Sequence, residues 1–283
     1  MSSGVNKHLL SRDIPEPIAR KIRQNSGFGC IFCGVWITQY EHIIPEFKDA
    51  LIHDPNTITL LCGLHHQKVT SKRLSKQQVF DQYKHPIPLQ NGYASEFLQL
   101  NKIFGIVLGR IFIPDPKGNI LTIDNIPLIS ITQPTDTEPL KLNAKFFDNK
   151  KNLIMEIVNN EQRGYSNNWD IKQEGSRTTI RRKRGDIVLQ INIMPPNILK
   201  FEKVNMRYGN TEIISDSFSG KIFLKNEGVT MDFPTGQIIT RGITMTNLSI
   251  SLDGAVLMGG QEGMVMEEMD YQSFMKTGRI HSV

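Results

Sequence analysis

Cys30 and Cys33 stand two residues apart, and after 28 more residues the pattern returns as Cys62-x2-His65. Few features restrict a chain's folding options as strongly. Each two-residue gap lets a tight turn aim both side chains at one point, and four such donors suit tetrahedral Zn²⁺. The stretches GFGC (27–30) and Cys62-Gly63 carry the glycines that such turns require. All three cysteines of the chain belong to the pattern. Three cannot all pair as disulfides within one chain, and their clustering points to a metal. Free cysteines also serve as small buried core residues, but the paired spacing favours zinc. A closed shell of Cys30, Cys33, Cys62 and His65 leaves no position for a substrate, so this ion is expected to be structural.

His66 follows the last ligand directly. Neighbours on a helix diverge by about 100°, so His66 is not expected to bind the same ion. Between the two ligand pairs lies Glu41-His42, in a β-branched and aromatic stretch, VWITQYEHII (35–44), that predicts a short ribbon. TITLLC (57–62) reads as a second short strand, and the residues from Gly63 onward suit a helix. Closing such a zinc site would bring Glu41, His42 and His66 into one cleft. A base that activates water and a cation that stabilises a departing oxygen are what phosphodiester hydrolysis needs. A neutral imidazole suits the first task, and a carboxylate with a second imidazole suits the other. A lone histidine more often serves only packing or the surface.

Taken together, IPEP (14–17), GFGCIFCG (27–34), YEHIIP (40–45) and TLLCGLHHQK (59–68) resemble the HNH endonucleases. The likeness spans about residues 12–92 and is nearest to modules of bacterial anti-phage effectors. It implies a ββα-metal fold, with His42 as general base and Glu41 and His66 as ligands of a catalytic Mg²⁺ or Mn²⁺. Cys30, Cys33, Cys62 and His65 fall on the zinc positions. Thr57 stands where the family's central Asn falls, five residues before Cys62, and Asn56, one place earlier, is the candidate for the loop-bracing amide. The implied partner is double-stranded DNA, and cutting both strands implies a homo-oligomer. The competing expectation is a zinc-stapled DNA- or partner-binding module without catalysis.

Net charge is +5, and residues 1–90 hold 11 Lys/Arg against 7 Asp/Glu. The basic excess thus sits beside the motifs, as a nucleic-acid surface would require. Lys68, Lys72, Arg73 and Lys76 are candidate phosphate contacts, although a solvated helix face would look the same. Arg181–Arg184 is the densest basic run; a turn, a nucleic-acid contact or a nucleotide site would each account for it.

The overall expectation is an α+β chain: residues 1–90 as the zinc-bearing domain, then 93–283 as a larger, mostly β domain. That domain's expected role is oligomerisation, substrate binding or response to an activating ligand. HPIPLQNG (85–92) supplies the break. Ile18 and Ile22 share a face of a helix that Pro15 opens, and Ser75 with Gln78 forms a capping box. Beyond residue 93, KLNAKFFD (141–148), LIMEIV (153–158), DIVLQINI (186–193) and ILKFEKVNM (198–206) read as strands. GRIFIPDPKGNILTI (109–123) reads as two strands around a turn. No stretch reaches the roughly 20 apolar residues of a membrane helix. The N-terminal MSSGVNKHLLSRDIPEP lacks an apolar secretory core, which predicts a cytoplasmic protein.

Overall fold

The structure, a computed structural model, describes residues 4–100, 105–109, 111–133, 135, 138–194, 198–216, 221–226, 229–232, 237–239, 242–246, 249–253 and 256–258. It is a mixed α+β chain in which strands dominate. Two units divide it. The first is Met1–Glu96 with Arg163–Gln173, and the second is Phe97–Gln162 with Glu174–Val283. The chain was expected to change domain once, at 85–92; instead it leaves the first unit after Glu96 and returns to it for eleven residues, 163–173.

In the first unit, helix α1 (Glu16–Asn25) starts directly after Pro15, whose fixed φ is pre-set for helix entry. Ile22 is fully buried and packs with Ile58 and Leu60, against which Ile14 and Ile18 also lie. The helix stops where Gly27 and Phe28 both take positive φ. Strands β1 (Gln39–His42) and β2 (Ile58–Leu61) pair antiparallel, with Glu41 opposite Thr59 and His42 opposite Ile58. Helix α2 (Gly63–Thr70) follows β2 with one residue between, and that residue, Cys62, is its N-cap.

Helix α3 (Lys76–Tyr83) carries the capping box as read, with Ser75 and Gln78 satisfying each other's backbone N–H groups. The Pro/Gly stretch expected to be a mere break contains a short helix α4 (Ile87–Asn91), opened after Pro86 and ended by Gly92 at φ 82°. Strand β3 (Tyr93–Phe97) follows.

Segment 163–173 is held to α1 by charge. Arg23, buried, donates from Nε and Nη2 to the two carboxylate oxygens of buried Asp170 at 2.9 and 3.0 Å. The same guanidinium reaches Glu16 at 2.6 Å and the Tyr40 hydroxyl at 2.9 Å. Although burial opposes its charge, these partners raise the Arg23 pKa above its ordinary value. Gln24 donates to the Trp169 carbonyl at 2.7 Å, and Arg20 stacks over the Trp169 ring at 4.2 Å.

The second unit is built from antiparallel meanders. One runs through Gly118–Ile123, Ile126–Thr132, Lys141–Phe147 and Leu153–Val158. Another runs through Arg177–Lys183, Asp186–Met194, Ile198–Tyr208, Thr211–Asp216, Lys221–Asn226 and Val229–Asp232. Phe146 and Phe201, one from each meander and both fully buried, meet with ring centroids 5.4 Å apart. Alternation in 186–193 puts Ile187, Leu189, Ile191 and Ile193 on one face; of these Leu189 and Ile191 are buried and the other two half-buried, and Val188 is buried as well.

Parallel pairings among the described residues join Ile198–Tyr208 with Gly105–Leu108, Gln237–Ile239 with Ile111–Pro114, and Gly242–Thr246 with Gly118–Ile123. Ile111–Pro114 and Gly118–Ile123, read as two strands around one turn, therefore lie in different sheets. The basic run 181–184 sits at the hairpin turn before Asp186, where Arg182 pairs with Asp186 at 2.6 Å. Among the described residues, no helix is long and apolar enough to cross a membrane.

Candidate functional site

The metal cluster is assembled from two turns. After α1, the chain enters a knuckle in which the Cys33 and Gly34 amides both donate to the Cys30 carbonyl, at 3.3 and 2.8 Å. Gly29 allows this closure: a Cβ there would lie 2.7 Å from the Gly34 carbonyl oxygen and 2.8 Å from the Ala94 methyl. The second turn is the start of α2, which places His65 one turn beyond Cys62. The four ligand atoms all lie within 4.8 Å of one another.

Zinc at about 2.3 Å from sulfur and 2.0–2.1 Å from nitrogen sets tetrahedral edges of roughly 3.8 Å (S to S) and 3.5 Å (S to N). Cys33 and Cys62 Sγ are 3.8 Å apart, and His65 Nδ1 lies 3.5 Å from Cys30 Sγ and 3.2 Å from Cys62 Sγ. These donors fit a structural metal ion such as zinc, with His65 binding through Nδ1.

Their surroundings agree. Cys30 and Cys62 are buried among Ile31, Ile43, Leu61 and Val79, and Phe32 stacks on the His65 ring at 5.0 Å. Burial pushes the Cys30 thiol up to about 12 and raises Cys33 as well. Such thiols ionise only when a cation replaces their protons. His65 is pushed down, by burial first and then by Lys68, which keeps its ring neutral and ready to ligate.

A second set of side chains lines a cleft of about 690 Å³. Glu41 on β1 is nearly buried, and its Oε2 stands 3.1 Å from Nε2 of His66 on α2. Either an Nε2–H donating to the carboxylate or one cation shared by both groups satisfies that spacing. The other Glu41 oxygen accepts from the Lys76 ammonium, which also donates to the His42 carbonyl. His42, Glu41 and His66 line the cleft together with Arg12, Tyr40, Lys48, Lys72 and Lys76.

Of the lysines and arginine considered as phosphate contacts, Lys72 and Lys76 line the cleft, and Lys76 is turned inward onto Glu41. Lys68 and Arg73 are not among the residues that line it. Burial, followed by the nearby charges of His53, Lys76 and Arg12, pushes His42 down to about 4. The imidazole is thus neutral at ordinary pH.

The loop 53–57 closes the hairpin. Asn56 bonds within it, its backbone and side-chain amides both donating to Asp54 Oδ1 at 2.9 and 3.0 Å. Thr57 caps the turn through Oγ1 to the Asp54 carbonyl at 3.1 Å, and its own carbonyl accepts from the Ile43 amide at 2.8 Å. The brace across to α1 is Asn25, which donates to the Pro55 carbonyl at 3.1 Å and lies 3.1 Å from the Tyr83 hydroxyl. Sequence reasoning gave no site role to Asn25, Arg12, Lys48 or His53. None belongs to a spaced motif, and each reaches the site only through the tertiary fold.

Compared with protein-family models, curated proteins and solved structures, the chain matches none.

Proposed function

We propose that the first unit is a metal-dependent endonuclease of the HNH type acting on double-stranded DNA. The observation that carries this reading is the Glu41–His66 pair at 3.1 Å, beside His42 in a basic cleft. The order β1–β2–α2, braced by the Cys30, Cys33, Cys62 and His65 cluster, supports it. Octahedral Mg²⁺ at about 2.1 Å from each ligand sets neighbouring donors roughly 3.0 Å apart, which these two side chains match.

A divalent cation held there, Mg²⁺ or Mn²⁺, would supply positive charge for the phosphate and departing oxygens. The remaining work falls to the chain. Arg12, Lys48 and Lys72 attract the phosphate backbone without reading sequence. Neutral His42 takes a proton from water as its oxygen bonds to phosphorus. The bond to the 3′ oxygen breaks, and that oxygen is protonated by solvent, leaving a 5′ phosphate and a 3′ hydroxyl. Phosphate entering the cleft also offsets the positive charges that add to burial in holding the His42 pKa low.

One site cuts one strand, so double-strand breaks need paired protomers, and the second unit is our candidate for pairing or for control by a ligand. A solution mass of monomer, with linear product forming in a single step, would exclude pairing. The test of the activity is supercoiled plasmid with Mg²⁺ or Mn²⁺. Nicked or linear product bearing 5′ phosphates is expected, and Glu41→Ala and His66→Ala should abolish it; no product from wild type contradicts the reading.

The hold of Lys76 on Glu41 favours a second reading, a zinc-stapled binding module without catalysis. DNA binding without cleavage, and no Mn²⁺ bound by wild type beyond what Glu41→Ala binds, would select it.

A further inference from the structure

His53 is buried, with 7% of its surface exposed, and is not among the residues that line the cleft. Its Nε2 lies 2.9 Å from the Ser11 carbonyl oxygen. A carbonyl only accepts, so a neutral His53 ring carries its proton on Nε2 and keeps a lone pair on Nδ1. That Nδ1 stands 3.4 Å from Nε2 of His42. With His42 neutral, this contact is a hydrogen bond only when His42 carries its proton on Nε2.

Both rings are held where this requires. The Phe47 ring lies near-parallel to His53, at 10° and 6.5 Å, and packs on His42 at 5.3 Å, while Arg12 lies over Phe47 at 4.7 Å. The segment carrying Ser11 is anchored in turn, since Asn6 Nδ2 donates to the Phe47 and Ala50 carbonyls at 2.6 and 2.7 Å.

We propose that His53 is a positioning residue. It fixes His42 as the Nε2–H tautomer, so that Nδ1 is the atom that accepts the proton of the attacking water. The catalytic consequence rests on the nuclease reading, but the tautomer does not. During attack the water proton moves to Nδ1 as the oxygen–phosphorus bond forms and the bond to the 3′ oxygen breaks. The His53 lone pair faces the Nε2–H of the resulting imidazolium and steadies its charge. His53 and the Ser11 carbonyl thus act as an orienting relay, in the way a third group orients the base of other catalytic sets.

The test is long-range ¹H–¹⁵N correlation NMR on the full zinc-loaded chain at neutral pH, with the histidines assigned by substitution. His42 is expected with Nε2 protonated and Nδ1 bare. A His42 protonated on Nδ1 overturns the proposal, whether or not the protein cuts DNA. His53→Leu should give a mixture of His42 tautomers and lower kcat with KM unchanged. The loss should be at least about tenfold and no larger than the roughly 10²–10⁴-fold that general-base catalysis is worth. His53→Asn, whose Oδ1 sits near the position of Nδ1, should restore both. Full kcat and an unmixed tautomer in His53→Leu would also overturn it. If His53→Leu does not fold, the wild-type spectrum still decides. A wild type that holds the tautomer but cleaves nothing refutes the nuclease reading and leaves the relay standing.

Discussion

Glu41 Oε2 and His66 Nε2 stand 3.1 Å apart, one on a strand and the other on a helix. His66 can reach Glu41 because its neighbour His65 is turned the other way, into the cysteine cluster. Adjacent residues on α2 thus serve two different clusters, as their angular offset allows.

Zinc analysis of the purified chain should find one ion per protein. Cys30→Ser should lose it and unfold at lower temperature, because apparent zinc-binding energy in small metal-stapled folds, about 10–16 kcal/mol, is also folding energy. A Cys30→Ser protein with unchanged thermal midpoint would show that the cluster does not staple the fold.

Asp170→Ala should destabilise the first unit by roughly 3–5 kcal/mol, since it leaves the Arg23 guanidinium buried without its main partner. Urea unfolding followed by tryptophan fluorescence is the check. A change under about 1 kcal/mol, the range of an exposed pair, would mean that segment 163–173 is not held by this contact.

The pH profile of kcat/KM reports the free enzyme, in which His42 is pushed down to about 4. The useful form is the neutral imidazole, so activity should be retained as pH falls through about 6.5, the ordinary histidine value, and decline only near 4. An acid limb centred at the ordinary value would contradict this. The same depression makes the unfolded chain the better proton binder between these values, so His42 lowers stability as pH falls below about 6.5.

Lys72→Ala should weaken duplex binding at low salt and reduce the salt slope of log K by about one. Arg73→Ala, at an exposed position that does not line the cleft, should leave the slope nearly unchanged. Equal effects would place the DNA elsewhere on the surface.

What could be read from sequence was local. Cys30-x2-Cys33 and Cys62-x2-His65 work through turns of a few residues, and the box of Ser75 and Gln78 is complete within one helical turn. Strand identity in 141–148, 153–158, 186–193 and 198–206 followed from alternation and β-branching, while Glu161–Tyr165, Asp170–Glu174 and Arg177–Lys183 went unread. Partners across long separations left no such mark. Arg23 and Asp170 are 147 positions apart, so nothing in either neighbourhood signals their pairing or the return of 163–173 to the first unit. The parallel pairing of Gly118–Ile123 with Gly242–Thr246 is hidden for the same reason. Nothing around His53 in the sequence marks it, because its contacts are with Ser11 and His42, which the fold brings to it.

Cleavage of supercoiled plasmid by His42→Ala, beside wild type and with zinc content measured on both, tests the nuclease most directly. His42 is not part of the cysteine cluster, so the variant should keep its zinc and its fold. Wild type should nick or linearise the plasmid with Mg²⁺ or Mn²⁺, and the zinc-loaded variant should be at least about 10²-fold slower. Cleavage by His42→Ala at the wild-type rate would show that the proton is taken elsewhere and that this cleft is not the active site.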